Sequence, residues 1–196
     1  MVNLSLIVND KTGDPNQFDE VLKLVKEGVS KNITFVASAG NAQMDAGRNC
    51  PALDENIIIV GSISDSDGQC GGLGKNVELW SNRQKPPGLV YFNGAPVADP
   101  DDSFAKSYSN FGESVDIVAP GTNILSTGKN GTYHVDTGTS MASPAVAGAA
   151  AAYIAFHPDA TPSEVRSELL NKAWRSGDGN CYYTVDDPLK ELKYRY

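Results

Sequence analysis

Residues 2–8, VNLSLIV, make an apolar run of the length of a buried strand, closed by a polar stretch at 9–16. A helix is expected directly after it. Asp14 stands where a cap belongs, Pro15 suits the first turn and Gln17 completes a capping box. Phe18, Val21, Leu22, Val25 and Val29 then recur at helical spacing up to Asn32. Residues 33–41, ITFVASAGN, read as a second strand running into small residues. Strand, helix and strand in so short a span make a βαβ unit, which predicts a parallel sheet with helices on its faces.

A third strand is read at 57–60, followed by an insertion or lid at about 64–106, rich in Gly, Asp, Pro and Asn and too long for a turn. Regular structure resumes with a strand at 115–119. Segments 123–127 and 132–136 flank Lys129-Asn130-Gly131, whose Asn-Gly pair predicts a hairpin. Two helices follow. The first, 140–156, is almost all Ala, Gly, Val and Ser and can lie close on a sheet. The second starts at the capping box Thr161-Pro162-Ser163-Glu164 and runs to about Trp174. Residues 1–176 are read as one unit and 177–196 as a tail.

Composition narrows the function classes. Of 196 residues, 40% are apolar and 20% charged, too apolar for disorder. Sixteen basic and 24 acidic side chains leave a net charge of −8 with no Lys or Arg cluster to track a phosphate backbone, so nucleic acid is not an expected partner. The longest small and apolar run, 145–156, is shorter than the ~20 residues of a membrane-spanning helix, and no membrane contact is expected. Residues 1–12 show no basic region ahead of a long apolar stretch, so no secretion signal is read there. Cys50, Cys70 and Cys181 lack the paired spacing of a thiolate zinc site. One disulfide and one free thiol is the most they support, with the pairing open.

The string Gly138-Thr139-Ser140-Met141-Ala142-Ser143-Pro144 places a serine where a loop turns into a helix. A helix N-terminus carries about half a positive charge and stabilises negative charge forming beside it. Gly138 lets the backbone approach a substrate, and Pro144 is expected near the first turn, where a lost N–H matters little. A serine so placed is either a capping residue of the helix or a group beside which negative charge can form. Upstream, Ala37-Ser38-Ala39-Gly40-Asn41 ends a strand in a Gly-Asn pair, which by itself reads as a turn.

Both strings resemble the corresponding segments of the subtilisin-like serine peptidases. Residues 2–6 resemble that family's substrate-binding edge strand, and YSNFG at 108–112 with Ala119-Pro120-Gly121 resembles the stretch leading to the serine. The resemblance implies an α/β fold with a doubly wound, mostly parallel sheet and helices on both faces, whose N-terminal part is absent here. It implies a serine-type endopeptidase acting through an acyl-enzyme on Ser140, with Asn41 in the oxyanion hole. By the same resemblance Ser38, Ala39, Gly40, Gly138 and Thr139 line the substrate cleft. No cofactor is required for the chemistry. Alignment of CPALDENIIIVGS and VDIVAPG with the calcium-binding branch implies a structural calcium held by carbonyls of Glu55 and Ile57 and the carboxylate of Asp116.

A serine hydroxyl needs a histidine to take its proton and a carboxylate to orient that histidine. The family supplies these from a D-[ST]-G turn and an H-G-T segment, both ahead of the strand with which this sequence opens. Neither precedes Met1. His134 and His157 stand in the wrong contexts and are read as structural or solvent-facing. Asp10-Lys11-Thr12-Gly13 carries an extra lysine against a D-T-G turn and falls at the end of the edge strand. Val135-Asp136-Thr137-Gly138 matches an aspartic-protease turn, whose mechanism needs a second such turn that this sequence lacks. Ile7 and Val8 replace two glycines usual at the end of the edge strand.

Three readings follow. The chain is the nucleophile-bearing part of a serine endopeptidase, acting on a polypeptide substrate once an N-terminal fragment supplies Asp and His. Alternatively it is a noncatalytic pseudoprotease or peptide-binding module on the same fold. In a third reading the chain is unstable alone, since its first strand exposes an edge. An extracellular site is expected from the resemblance, and Asn130-Gly131-Thr132 reads as a glycosylation acceptor.

Overall fold

The computed structural model describes residues 1–6, 18–48, 54–68, 74–81, 88–92 and 95–173. The chain opens with β1 (Val2–Leu4), α1 (Asp19–Ser30), β2 (Phe35–Ser38) and β3 (Ile57–Ser64). The three strands run parallel, Val2 opposite Phe35 and Phe35 opposite Ile57. This is the βαβ unit that the apolar pattern predicts.

Alternation along β2 and β3 divides the core in two. Phe35, Ala37, Ile57 and Ile59 face α1 and pack with Val25. Val36, Ile58 and Val60 face the other side and pack with residues 142, 146, 147 and 170 of two later helices. Because both strand faces are buried, apolar residues stand at consecutive positions, 35–37 in β2 and 57–60 in β3. Each fully buried isoleucine contributes about 1.5–3 kcal/mol.

Helix α1 begins later than the capping box implied. Its cap position is Phe18, which makes no side-chain cap bond, and Asp19 and Glu20 in the first turn complement the helix dipole instead. Asp14, Pro15 and Gln17 lie outside the described residues. The helix ends where Asn32 takes a left-handed φ of 63° and Ile33 N–H donates to the Gly28 carbonyl at 3.0 Å. Gly28 is required for packing, since a Cβ there would stand 2.6 Å from the Phe35 ring.

Among the described residues of the expected insertion, six two-residue strands precede Pro100: β4 (Val77–Glu78), β5 (Trp80–Ser81), β6 (Gly88–Leu89), β7 (Tyr91–Phe92), β8 (Ala95–Pro96) and β9 (Ala98–Asp99). They pair antiparallel as β4 with β9, β5 with β6 and β7 with β8. A closed ring of hydrogen bonds ties them, Leu79 N to Val97 O, Val97 N to Val90 O and Val90 N to Leu79 O, each 2.8 Å. Leu79, Val90 and Val97 pack on Ala105 and Tyr108, so this segment is seated on the domain.

Strand β10 (Ser103–Phe104) pairs antiparallel with the far end of β3, and β11 (Ile117–Pro120) pairs parallel with it, Ile117 opposite Val60. These partners extend β3 to Ser64, beyond the apolar run at 57–60. Then comes the hairpin of β12 (Ile124–Thr127) and β13 (Tyr133–Asp136), turning through Asn130 and Gly131 at φ of 58° and 72°, as the Asn-Gly pair predicts.

Helix α2 (Thr139–Phe156) lays Thr139, Ala142, Ser143, Val146, Ala147 and Ala150 on the sheet. By length and composition it is long and apolar enough to cross a membrane, and 33% of it is buried, the face that lies on the sheet. Pro144 falls in its second turn, one turn later than expected. Helix α3 (Pro162–Lys172) has the predicted capping box, Thr161 Oγ1 accepting from Glu164 N at 3.3 Å and Glu164 Oε2 accepting from Thr161 N at 2.8 Å. The sheet is mostly parallel with helices on both faces.

Candidate active site

The C-terminal end of β2 and the N-terminus of α2 meet at Asn41. Its side-chain Oδ1 accepts from the Thr139 backbone N–H and from Thr139 Oγ1, both at 2.9 Å. Thr139 Oγ1 in turn accepts from Gly40 N–H at 3.1 Å. With its carbonyl end held twice, the Asn41 amide has one orientation, and Nδ2 turns toward Gly138. A Cβ on Gly138 would stand 3.1 Å from that nitrogen, and φ of 154° there is a conformation that side chains rarely adopt.

The loop bearing Asn41 is fastened by a residue that sequence reasoning passed over. Asn110, fully buried, accepts at Oδ1 from Ala42 N (2.9 Å) and Met44 N (3.2 Å), and donates from Nδ2 to Ala39 O (2.9 Å). Its backbone N–H also donates to Gly40 O at 2.8 Å. The YSNFG string contained this asparagine, but nothing local marks it as the keystone of a loop some seventy residues away.

Ser140 lies in the first turn of α2, where helix geometry gives its backbone N–H no intrahelical partner. Its Oγ donates to Ser5 O at 3.4 Å, and Ser5 Oγ donates to Ser140 O at 2.9 Å. A peptide carbonyl accepts a hydrogen bond but not a proton, so this contact orients the hydroxyl without activating it. Ser143 Oγ donates to Asn3 Oδ1 at 2.6 Å and Asn3 Nδ2 donates to Ser5 Oγ at 2.9 Å, stitching the end of β1 to the same turn.

The other expected site residues fall as follows. Ser38 and Ala39 are 2% and 0% exposed, and Gly40 is buried behind Asn41 with its peptide groups bonded internally. Thr139 is fully buried and turned onto Asn41, so it supports the cleft from within. Glu55 is exposed and Ile57 buried. Asp116 Oδ2 accepts from Ile59 N at 2.9 Å, and its Oδ1 pairs with Arg166. Exposed His157 ends α2, about 25 Å from Ser140 by helix rise, stacked on Tyr153. His134 is exposed on β13, over Gly128. Ile7, Val8, the three cysteines and the 10–13 turn lie outside the described residues.

Beneath the insertion runs a buried polar chain. Tyr108 Oη contacts Ser62 Oγ (2.5 Å) and Thr122 Oγ1 (2.9 Å), and Thr122 meets Ser64, whose hydroxyl donates to Asp99. Burial pushes Tyr108 up to about 12. Burial also raises Asp99, against the opposing hydrogen bonds of Ser107 and Ser64.

The start of α2 thus carries Ser140, with the amide of Asn41 clamped beside it through Thr139. The model of the subtilase family matches residues 1–191. Subtilisin DY of Bacillus licheniformis is 28% identical over 179 residues, covering 90% of this chain and 52% of that protein. Alkaline serine exoprotease A of Vibrio alginolyticus is 29% identical over 149 residues, covering 76% of this chain and 21% of that protein. The crystal structure of a cold adapted subtilisin-like serine proteinase superposes with a TM-score of 0.64 at 26% identity, covering 94% of this chain and 55% of that one. The chain belongs to the subtilase family and spans about half the length, or less, of these relatives.

Proposed function

We propose that the chain carries the nucleophile and oxyanion-binding side of a serine endopeptidase site and cleaves polypeptides together with the family segments that bear Asp and His. Ser140 Oγ attacks the scissile carbonyl carbon while its proton passes to the histidine of that complementary part. The carbonyl oxygen becomes an anion facing Asn41 Nδ2 and the Ser140 N–H. The amine leaves with the proton, and water then releases the acyl group from Ser140. One oxyanion donor of this kind is worth about 100 to 1000-fold in rate, a magnitude measured in subtilisin itself.

The observation that carries this reading is the double hold of Thr139 on Asn41 Oδ1, which reserves the amide nitrogen for a ligand. The complementary part has a surface to meet, since Pro144, Ala145, Gly148, Ala149, Ala152 and Phe156 of α2 are exposed. An extracellular setting goes with the family, and exposed Asn130 stands ready for glycosylation there.

A noncatalytic peptide binder is the second reading, favoured by the Ser140 hydroxyl resting on a carbonyl. Fluorophosphonate labelling separates the two. Labelling of Ser140 that requires an added polypeptide bearing the D-[ST]-G and H-G-T segments, and is lost in Ser140→Ala, supports the peptidase. Peptide binding with no labelling in either condition supports the binder.

A further inference from the structure

The calcium site implied by the resemblance needs a carboxylate with free oxygens facing a gap that a divalent cation enters. Asp116 does not offer that. One oxygen accepts from the Ile59 backbone N–H, and the other pairs with the Arg166 guanidinium. The Asp116 side chain is only 12% exposed and that of Arg166 36%, so the carboxylate is shielded while the arginine stays partly open to solvent.

We infer that Arg166 is the resident cation of this position, doing with a side chain what calcium does in the branch that binds it. Asp116 immediately precedes β11, Ile59 lies within β3 and Arg166 rises from the second turn of α3. Carboxylate, amide and guanidinium therefore join three elements at one point, which is the cross-linking task of a structural metal. Delivery of the guanidinium is prepared locally, because Pro162 and the Thr161–Glu164 capping box set the start of α3 one turn before Arg166. Arg166 also lines a cleft with Glu55 and Asn56, the loop whose carbonyls calcium would need. A divalent ion entering there meets a fixed positive charge at contact distance and is repelled. Among the described residues the buried Arg166 Nε–H has no acceptor, and the hydrogen bond of this guanidinium runs from Nη2 to Asp116.

The test is thermal unfolding of the full chain in 5 mM calcium (about this concentration suffices for weak sites) and in chelator, beside Asp116→Asn, Arg166→Met and Arg166→Lys. The expected wild-type midpoint is the same in both solutions. Arg166→Met lowers it on the order of 5 °C or more, and Arg166→Lys recovers part of that loss by restoring the charge. A calcium response that persists in Asp116→Asn comes from another place and supports the inference. A wild-type midpoint that calcium raises, with the rise abolished in Asp116→Asn, overturns it. Equal midpoints for Arg166→Met and wild type overturn it as well. If the variants do not fold, equilibrium dialysis of wild-type protein against calcium decides: no tight stoichiometric binding supports the inference, and tight stoichiometric binding that raises the wild-type midpoint overturns it.

Discussion

Ser5 and Ser140 bind each other twice, Ser5 Oγ donating to the Ser140 carbonyl at 2.9 Å and Ser140 Oγ donating to the Ser5 carbonyl at 3.4 Å. The first bond has a cause in the sequence. Pro144 has no N–H, so the carbonyl four residues before it, that of Ser140, has no helical donor. Ser5 supplies one from β1's trailing end. The proline thus couples the edge strand to the candidate nucleophile. Ser5→Ala is expected to cost about 0.5–1 kcal/mol, whereas Ser140→Ala, which keeps its carbonyl bond, shifts stability by less than about 0.5 kcal/mol. Urea denaturation of both variants checks the order.

Asn110→Leu is expected to destabilise by about 3 kcal/mol or more, because the N–H groups of Ala42 and Met44 and the carbonyl of Ala39 lose their partner in a buried place. Asn110→Asp keeps the acceptor and is expected to cost less. Equal effects from the two substitutions would count against a hydrogen-bonding role.

Gly138→Ala places a methyl group against Asn41 Nδ2 at a φ of 154°. Strain of this kind costs about 1–3 kcal/mol. Fluorophosphonate labelling in the complemented protein is expected to fall at least tenfold, since the displaced group is the proposed oxyanion donor. Unchanged labelling would remove Asn41 Nδ2 from that role.

Asp99 makes stability depend on pH in an unusual direction. Burial raises its folded pKa above the ordinary 3.8, so the native state holds more protons than the unfolded state between the two values. Stability therefore falls as pH rises through that window. Asp99→Asn removes the slope while keeping an acceptor for Ser107. The difference between wild-type and variant urea midpoints, followed from pH 3 to pH 7 (about the range spanning a carboxylate's titration), is expected to move in favour of the variant as pH rises.

Thr161→Ala removes the cap of α3 and is expected to cost about 1 kcal/mol. Hydrogen bonds from Thr161 lower the Glu164 pKa, so the box contributes above the unfolded carboxylate value and is lost as pH falls through the folded one. The penalty of Thr161→Ala should shrink in acid, read from denaturation midpoints at neutral and low pH.

Parts of the site were legible because their causes are local. Thr161 and Glu164 cap a helix through bonds three residues apart, and Asn130-Gly131 turns a hairpin through its own dihedrals. Gly138 to Pro144 places a serine on a helix start by adjacent residues alone. Asn110 was not legible, because its task is to hold residues 39–44, and any buried asparagine looks the same in the string. Pro144 falls in the second turn whether α2 is counted from Ser140 or from Thr139, so its place is a matter of helix period and not of a distant contact.

What the amino-acid sequence determined by itself is the alternation of strands and helices, the parallel sheet with helices on its faces, and the placing of Ser140 at a helix start and of Asn41 just past a strand. Periodicity, caps and turn residues act over a few positions, and a motif of consecutive residues carries its own context. Only the tertiary structure decided that Thr139 faces inward to orient Asn41, that the insertion closes on itself and seats on Tyr108, and that Arg166 meets Asp116. Those are pairings between distant residues, selected by which surfaces pack together and which buried polar groups must find partners, and neither condition exists until the chain has folded.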